Sequence, residues 1–405
     1  MEQLIEGLEN NLIDELDLRD NKYKEYIINY IIDKGINYNN SLTYLNLSSI
    51  NLKNLNNLCN AIYFNNTIKE LILNNNHIEN INYLSELLNN NSSITNLELR
   101  GNEIENINKL CENLYFNSNL KELDLSYNKI KNINNFQNTL NSPNISLTYL
   151  DLSNNEIKNL NIFCKCLKNN KTLKVLYLNN NKIEHIDKLC YYLSLNYSLY
   201  KLDLGFNEIE YIDKFKFTLK KNSTLTELYL NNNYIKHIDE FFKGLLFNTS
   251  LHILDLSTNR IQYINTLCQV LKNNNYLNIL NLSENNIKNI DDFYNCLKFN
   301  QSLLDLDLST NQISNIDKFS KCLKYNSSLI SLNLSDNEIT NIYKLYKALK
   351  FNSSLTSLNL SFNCIKNTFI FKKLLKYNNS LSYINLFKNY NSQVNDFNNK
   401  VELLF

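Results

Sequence analysis

Acidic and aromatic side chains recur at two fixed positions along most of the chain, and they are the residues best suited to chemistry. Carboxylates attract Lys and Arg, and aromatic ring faces attract cations within about 6 Å of the ring centroid. Rigid aromatic residues ringed by polar groups are also typical of binding hot spots. We therefore expect a site that binds a basic segment of a protein partner at Tyr149, Asp151, Tyr177, Asp203, Phe206, Glu227, Tyr229 and Asp255.

The other reactive side chains form no recognisable catalytic or metal-binding pattern. The four histidines, His77, His185, His237 and His252, have no neighbouring Cys or carboxylate pattern that would give four metal ligands. No serine stands apart with a base, and there is no glycine-rich phosphate loop. The sequence therefore predicts a protein that is not an enzyme, with no cofactor and no metal.

A phrase of eleven residues, Leu-x-x-Leu-x-Leu-x-x-Asn-x-Ile, positions the two columns. It returns every 26 residues between Leu42 and Leu381, except for one step of 27 that contains the single Pro143. Alternation about the second and third leucines predicts a short strand with one buried face, so the flanking residues face outward. Successive strands are expected to pair in a parallel sheet, and the Asn side chain is expected to bond the backbone as the chain leaves it.

The other half of each repeat predicts a short helix. Apolar residues follow at spacings of three and four, as in Ile238, Phe241 and Leu245. An acidic residue directly after the Ile of this pattern is expected to precede the helix and cap its N-terminus: Asp187, Asp213, Asp239, Asp291 and Asp317. An Asn column three residues before each first leucine, which includes Asn117 and Asn144, is expected to end the helix in a left-handed conformation.

The phrase and the helix text, as in residues 318–337, resemble the ribonuclease-inhibitor-like subfamily of leucine-rich repeats. The resemblance implies an α/β solenoid, a horseshoe with a concave parallel sheet and short convex helices. It also implies a non-catalytic scaffold whose partner binds the concave face. Two alternatives follow from related proteins: a GTPase activator of the Ran-activator type, or a substrate-recognition subunit of a ubiquitin ligase.

The repeats also define the expected domain organisation. Residues 1–41 are predicted to be a degenerate repeat and N-terminal cap, 42–388 the repeat array, and 389–405 a C-terminal cap that ends in a helix, all in one continuous domain. Residues 1–15 lack the pattern of a secretory signal. Eight of the nine cysteines occupy two helix columns, which indicates buried reduced thiols and an intracellular, cytoplasmic protein, with the nucleus as the alternative compartment.

Charge is nearly balanced, with a net charge of +1, so the sequence does not indicate a nucleic-acid or membrane partner. The two signs of charge are nevertheless expected on opposite faces, because the acidic columns lie on the strands and lysines recur on the helices: Lys220, Lys272, Lys298, Lys324, Lys350 and Lys376. The sequence leaves open whether the acidic face binds a partner or only follows the family consensus. We expect a monomer.

Overall fold

The computed structural model describes residues 2–20, 25–390 and 402–404, and the chain forms two compact units, Met1–Asp203 and Leu204–Phe405. Both units alternate three-residue strands with short helices. Each unit therefore has the α/β architecture that the repeated phrase predicts.

The described residues of the first unit form eight parallel strands that pair in chain order. They are β1 (Glu15–Asp17), β2 (Tyr44–Asn46), β3 (Glu70–Ile72), β4 (Asn96–Glu98), β5 (Glu122–Asp124), β6 (Tyr149–Asp151), β7 (Val175–Tyr177) and β8 (Lys201–Asp203). The α-helices are α1 (Glu2–Glu9), α2 (Glu25–Lys34), α3 (Asn56–Ala61), α4 (Asn82–Asn90), α5 (Asn108–Leu114), α6 (Phe136–Thr139) and α7 (Asp187–Leu193), and the segments Ile36–Tyr38 and Phe163–Lys168 are 3-10 helices.

The second unit repeats this arrangement. Its strands are β9 (Glu227–Tyr229), β10 (Ile253–Asp255), β11 (Ile279–Asn281), β12 (Asp305–Asp307), β13 (Ser331–Asn333), β14 (Ser357–Asn359), β15 (Tyr383–Asn385) and β16 (Glu402–Leu404). Its helices are α8 (Phe215–Lys221), α9 (Asp239–Leu245), α10 (Asn265–Leu271), α11 (Phe293–Leu297), α12 (Asp317–Leu323), α13 (Tyr343–Leu349) and α14 (Ile370–Leu374).

The strand register follows the sequence repeat. Leu97 pairs with Leu123, which is 26 residues later, whereas Leu123 pairs with Leu150, which is 27 residues later. The extra residue of the longer step is therefore absorbed outside the strands. Pro143 is exposed in that connection, as an inserted loop residue must be.

The core of each unit lies between its strands and its helices. Leucines from the strands are fully buried, among them Leu150 and Leu228. Helix phenylalanines of neighbouring repeats pack edge to face, with ring centroids 5.8 Å apart for Phe215 and Phe241. All nine cysteines are reduced, and eight of them are buried in this layer, as the helix columns predict.

Two buried asparagine columns connect neighbouring repeats. After most strands, an Asn such as Asn128 donates its amide to the carbonyls of Leu99 and Leu125 at 3.0 Å, and its Oδ1 accepts from the Ile104 amide at 3.0 Å. The predicted backbone role of this column is confirmed. At the helix exits, Asn117 Oδ1 accepts from the Leu120 amide at 2.8 Å while its Nδ2 donates to the preceding repeat.

The helix entries differ from the sequence prediction, because none of the acidic residues caps through its side chain. Asp317 is the first residue of its helix, and its amide donates instead to Asn315 Oδ1 at 2.9 Å. The cap is therefore an Asn two residues earlier, whose short side chain bonds the backbone that follows it. Asp187 and Asp239 are also the first residues of their helices. Asp213 and Asp291 instead lie two residues before their helices.

The helix exits also differ from the prediction. Asn91 and Asn222 have φ values of −82° and −76°, which are extended and not left-handed. Their side chains already bond the backbone ahead, so no left-handed residue is needed there. The left-handed position instead comes just before each Asn of the strand column, as at Asn232 (φ 52°) and Thr310 (φ 50°).

Two further expectations are wrong. At the 27-residue step Asn144 is exposed, and Ser142 takes the buried place, where its hydroxyl donates to the Tyr115 carbonyl at 2.6 Å. At the C-terminus, Glu402–Leu404 form a strand beside β15 and not a helix, since backbone pairing with that open edge satisfies their polar groups. Residues 391–401 of the predicted cap lie outside the described residues.

Candidate functional site

The surface that carries the predicted site is the strand face of each unit, which we define as the first and third residues of its strands. In β6 the middle residue Leu150 is buried, whereas Tyr149 and Asp151 are partly exposed. This pattern recurs in most strands of both units. The predicted outward position of the two columns is confirmed.

In the first unit, Tyr149 and Tyr177 form one aromatic pair. Their ring centroids are 5.6 Å apart, with the planes inclined at 57°. Tyr177 is in register with Asp151 on one side and with Asp203 on the other. Lys201 Nζ lies 5.6 Å from the Tyr177 ring centroid, so this ring already receives one cation.

The carboxylate of Asp151 lies beside the Tyr149 hydroxyl and is only partly exposed to solvent. Burial raises the pKa of Asp151, and the negative charge of Asp124 adds to the effect. Hydrogen bonds from Ser153 oppose it, and so does the more distant charge of Arg100. A charge that is held with so little solvation is stabilised by any cation that approaches it.

The same environment acts on Tyr149. Burial raises the pKa of its phenol, and Asp151 and Tyr177 reinforce the shift. The phenol therefore stays neutral and can donate its proton, and its oxygen lies 3.5 Å from Asp151 Oδ2. The pair offers a basic partner two ring faces and a carboxylate within one small area.

The second unit places the rest of the predicted residues less closely. Glu227 and Tyr229 share β9, where the Tyr229 hydroxyl donates to Glu227 Oε2 at 3.1 Å. Asp255 is in register with Tyr229. Phe206 is not in a strand: it occupies the left-handed turn before Asn207, with φ 52° and half of its surface exposed.

One cavity on the strand face was not anticipated from the sequence. It has a volume of about 390 Å³ and lies over β2 to β4, lined by Arg19, Tyr44, Ile72, Asn74 and Glu98, among others. Asn74 Nδ2 donates to Glu98 Oε2 at 2.7 Å. One sequence feature could have pointed to this cavity, namely Arg19, because the chain has only three arginines.

The described residues contain no cluster of three His, Cys, Asp or Glu side chains that could hold a metal ion. Burial raises the pKa of the Cys59 thiol to about 12 and that of Cys164 to about 11. Such thiols stay protonated at neutral pH, so they are poor nucleophiles and pack as apolar groups.

Across the described part of the chain, no helix combines the length and the apolar character needed to cross a membrane.

Four segments of the chain match a family model described as Leucine Rich repeat: residues 116–133, 144–160, 325–342 and 351–368. They include the strands β5, β6, β13 and β14. No curated protein matches the sequence.

Several solved structures share the fold. An internalin from Listeria monocytogenes is 24% identical over 87% of this chain and 88% of its own, with a TM-score of 0.62. A leucine-rich-repeat protein from Leptospira interrogans is 22% identical over 93% of this chain and 97% of its own, with a TM-score of 0.64. A chain of the LRIM1/APL1C complex is 20% identical over 85% of this chain and 56% of its own, with a TM-score of 0.56. At these identities the likeness concerns the fold.

Proposed function

We propose that this leucine-rich-repeat protein is a non-catalytic scaffold that binds a protein partner through the strand face of its repeats. The observation that carries the proposal is the contact of Tyr149 with Tyr177 beside the partly buried carboxylate of Asp151. The fold is commonly used for protein–protein interaction, and one structure with the same fold is a complex of two proteins. This supports binding as the function and leaves the partner to be identified.

The partner is proposed to present a basic segment. A Lys or Arg side chain over the two rings gains cation–π attraction. The same cation reaches Asp151, whose charge is poorly solvated in the free protein. Because attraction between exposed charges is screened by salt, the association rate should fall as ionic strength rises.

The second unit is proposed to contribute a similar but separate contact. Tyr229 is held by Glu227, and Asp255 lies beside it in the next strand. Phe206 offers a half-exposed ring in the turn before Asn207. These residues give a basic segment the same combination of carboxylates and aromatic surface as the first unit.

Other properties complete the proposal. The repeated phrase and the helix text of residues 318–337 are the basis for proposing the ribonuclease-inhibitor-like subfamily. Buried reduced cysteines fit an intracellular, cytoplasmic protein, because oxidising compartments favour disulfides. A monomer without a cofactor, organised as a single continuous domain with boundaries at residues 41 and 388, remains a prediction.

The test begins with affinity capture from cell lysate and compares the full chain with Tyr177→Ala and Tyr229→Ala, made separately. The control is Tyr191→Ala, which removes a tyrosine that is 61% exposed on α7. The physiological partner should be retained by the control and lost by at least one strand-face variant. With the purified partner, the affected variant should bind more than tenfold weaker in calorimetry.

Kinetics test the charge contribution. Asp151→Asn should mainly slow association, since it removes long-range attraction and keeps the side-chain shape. If all three tyrosine variants bind the partner like the unaltered chain, or if Tyr191→Ala alone loses it, the strand face is not the binding surface.

A further inference from the structure

The helix exits of the second unit form an unusually basic surface. We define the basic edge as residues 216–224, 242–250, 268–276, 294–302, 320–328, 346–354 and 372–380. These seven segments contain thirteen lysines and no Asp or Glu. The equivalent segments of the first unit contain only four lysines and three acidic residues: Lys34, Lys165, Lys168, Lys171, Asp33, Glu86 and Glu112.

Lysines along this edge lie over exposed aromatic rings. Lys298 Nζ lies 5.2 Å from the centroid of Phe299 and 4.9 Å from that of Tyr325 in the next repeat. Lys324 Nζ lies 5.4 Å from Tyr325 and 4.9 Å from Phe351. Successive rings are therefore no more than about 10 Å apart, and each lysine is shared between two of them.

The contacts continue on both sides, and we call Lys272, Lys298, Lys324, Lys350 and their rings the central stretch. Lys272 Nζ lies 5.4 Å from Phe299, and Lys350 Nζ lies 3.9 Å from Tyr377. These aromatic residues are exposed: the solvent-exposed fraction is 54% for Phe299 and 67% for Phe351. Exposed aromatic rings that face water in consecutive repeats are a feature of interaction surfaces.

The lysines of the central stretch differ from those at the start of the unit in their acidic neighbours. In the described part of the chain, no carboxylate oxygen lies within 4.0 Å of Nζ of Lys272, Lys298, Lys324 or Lys350. Near the start of the unit the situation differs, because Lys216 and Lys243 both pair with Glu240. The positive charge of the central stretch is therefore available to a partner.

Two grooves lie along the edge. One, of about 600 Å³, is lined by Lys272, Asn275, Phe299 and Ser302, among others. The second, of about 350 Å³, is lined by Lys350, Phe351, Tyr377 and Asn379, among others. Both combine an ammonium group, an aromatic ring and polar side chains, which suits a flexible acidic chain.

We infer that the basic edge binds an extended, acidic polypeptide segment of a protein partner. In a polyproline II conformation every third residue faces the same side, and the rise of about 3.1 Å per residue separates those residues by about 9 Å. Lys298 Nζ and Lys324 Nζ lie 4.9 Å and 5.4 Å from the same Tyr325 centroid, so the two ammonium groups are within reach of glutamates placed at every third position. This interaction is separate from the strand-face contact proposed above.

The geometry favours an acidic polypeptide over single-stranded nucleic acid. Nucleic-acid platforms of this kind leave ring faces open for bases to stack on. Here Phe299 and Tyr325 each have ammonium groups from two repeats within about 5 Å of the centroid. The rings thus hold lysines in a row and present positive charge.

The experiment measures binding of a fluorescent peptide of roughly 20 residues, with Glu at every third position, to the full chain by anisotropy. Lys298→Glu with Lys324→Glu should weaken binding more than tenfold. The matched control is Lys318→Glu with Lys344→Glu, which makes the same charge change near the N-terminal ends of α12 and α13. The control should change affinity less than twofold. Because reversed charge at a helix C-terminus can reduce folding, Lys298→Gln with Lys324→Gln is measured alongside and should also weaken binding.

A thymidine oligonucleotide and anionic phospholipid vesicles are measured on the same proteins. The inference is overturned if the peptide does not bind, if the control pair loses as much affinity as the edge variants, or if oligonucleotide or vesicles bind more tightly than the peptide. Tyr177→Ala should leave peptide binding unchanged, so a failure here is distinguishable from a failure of the strand-face proposal.

Discussion

At the scale of single residues, a charge on the strand face and left-handed backbone in the turns after the strands both cost stability. Asp151 is a carboxylate whose pKa is raised by burial, although several other repeats carry Asn in the same column. Asn281 shows that the amide fits, since its Oδ1 accepts from the Ser283 amide at 3.0 Å just as Asp151 accepts from Ser153. The charge is therefore not required by the fold, which is consistent with a role in binding.

Asp151→Asn should raise the melting temperature near neutral pH. The folded-state pKa of Asp151 is raised above its usual 3.8, so its ionised form disfavours the folded state once the pH exceeds the folded pKa. The gain from the substitution should shrink as the pH falls through that pKa towards 3.8, where the unaltered carboxyl is itself protonated. Thermal melts across this range check the sign, and a gain that persists unchanged in acid would contradict it.

A second residue-scale cost lies at the left-handed turn position. Thr310 has φ 50°, where a β-branched side chain is unfavourable, whereas Asn232 occupies the equivalent position with φ 52°. Thr310→Asn should stabilise the protein by about 1 kcal/mol, and the reverse change Asn232→Thr should destabilise it by a similar amount. Urea denaturation measures both. Equal stability of the two variants would show that the turn carries no strain.

At the scale of elements, each helix exit depends on a buried amide that bonds two repeats at once. Asn117 accepts from the Leu120 amide and donates to the Leu88 carbonyl at 2.7 Å. At the longer step the same sequence column gives Asn144, which is exposed, while Ser142 bonds the preceding repeat. Identical residues in one column therefore have different structural roles.

Asn117→Ala and Asn144→Ala test this difference directly. The first should destabilise the protein by about 1–3 kcal/mol for each backbone group left buried without a partner. The second should be nearly silent, because its side chain is exposed. Chemical denaturation of both variants decides, and an equal loss would restore the sequence-based assignment of Asn144.

At the scale of the whole molecule, stability is shared between neighbouring repeats within each unit, because each strand and helix contacts mainly the next. Charge, in contrast, is distributed unevenly along the repeats. The net charge is only +1, yet the helix exits of the second unit carry lysines without acids. Net charge therefore says little about the partners of such a chain.

Leu228→Ala should cost about 2–5 kcal/mol, because Leu228 is fully buried in β9. In a nearest-neighbour array the loss should appear as local opening, with faster hydrogen exchange in β9 and β10 and little change in β14. Lys220→Ala, at an exposed site on α8, serves as the control. Uniform loss of protection across the second unit would show that it unfolds as one body.

The sequence by itself determined the strand register, the buried leucines and the outward columns, because each depends on alternation and spacing along one chain. It also placed Tyr149, Asp151 and Tyr177 on one surface correctly. It did not place Phe206, which is in a turn, nor the cavity beside Arg19, which is formed by several repeats. Capping, the left-handed turn and the burial of Asp151 were decided only by the tertiary structure, since each depends on which backbone and side-chain groups the neighbouring repeat supplies.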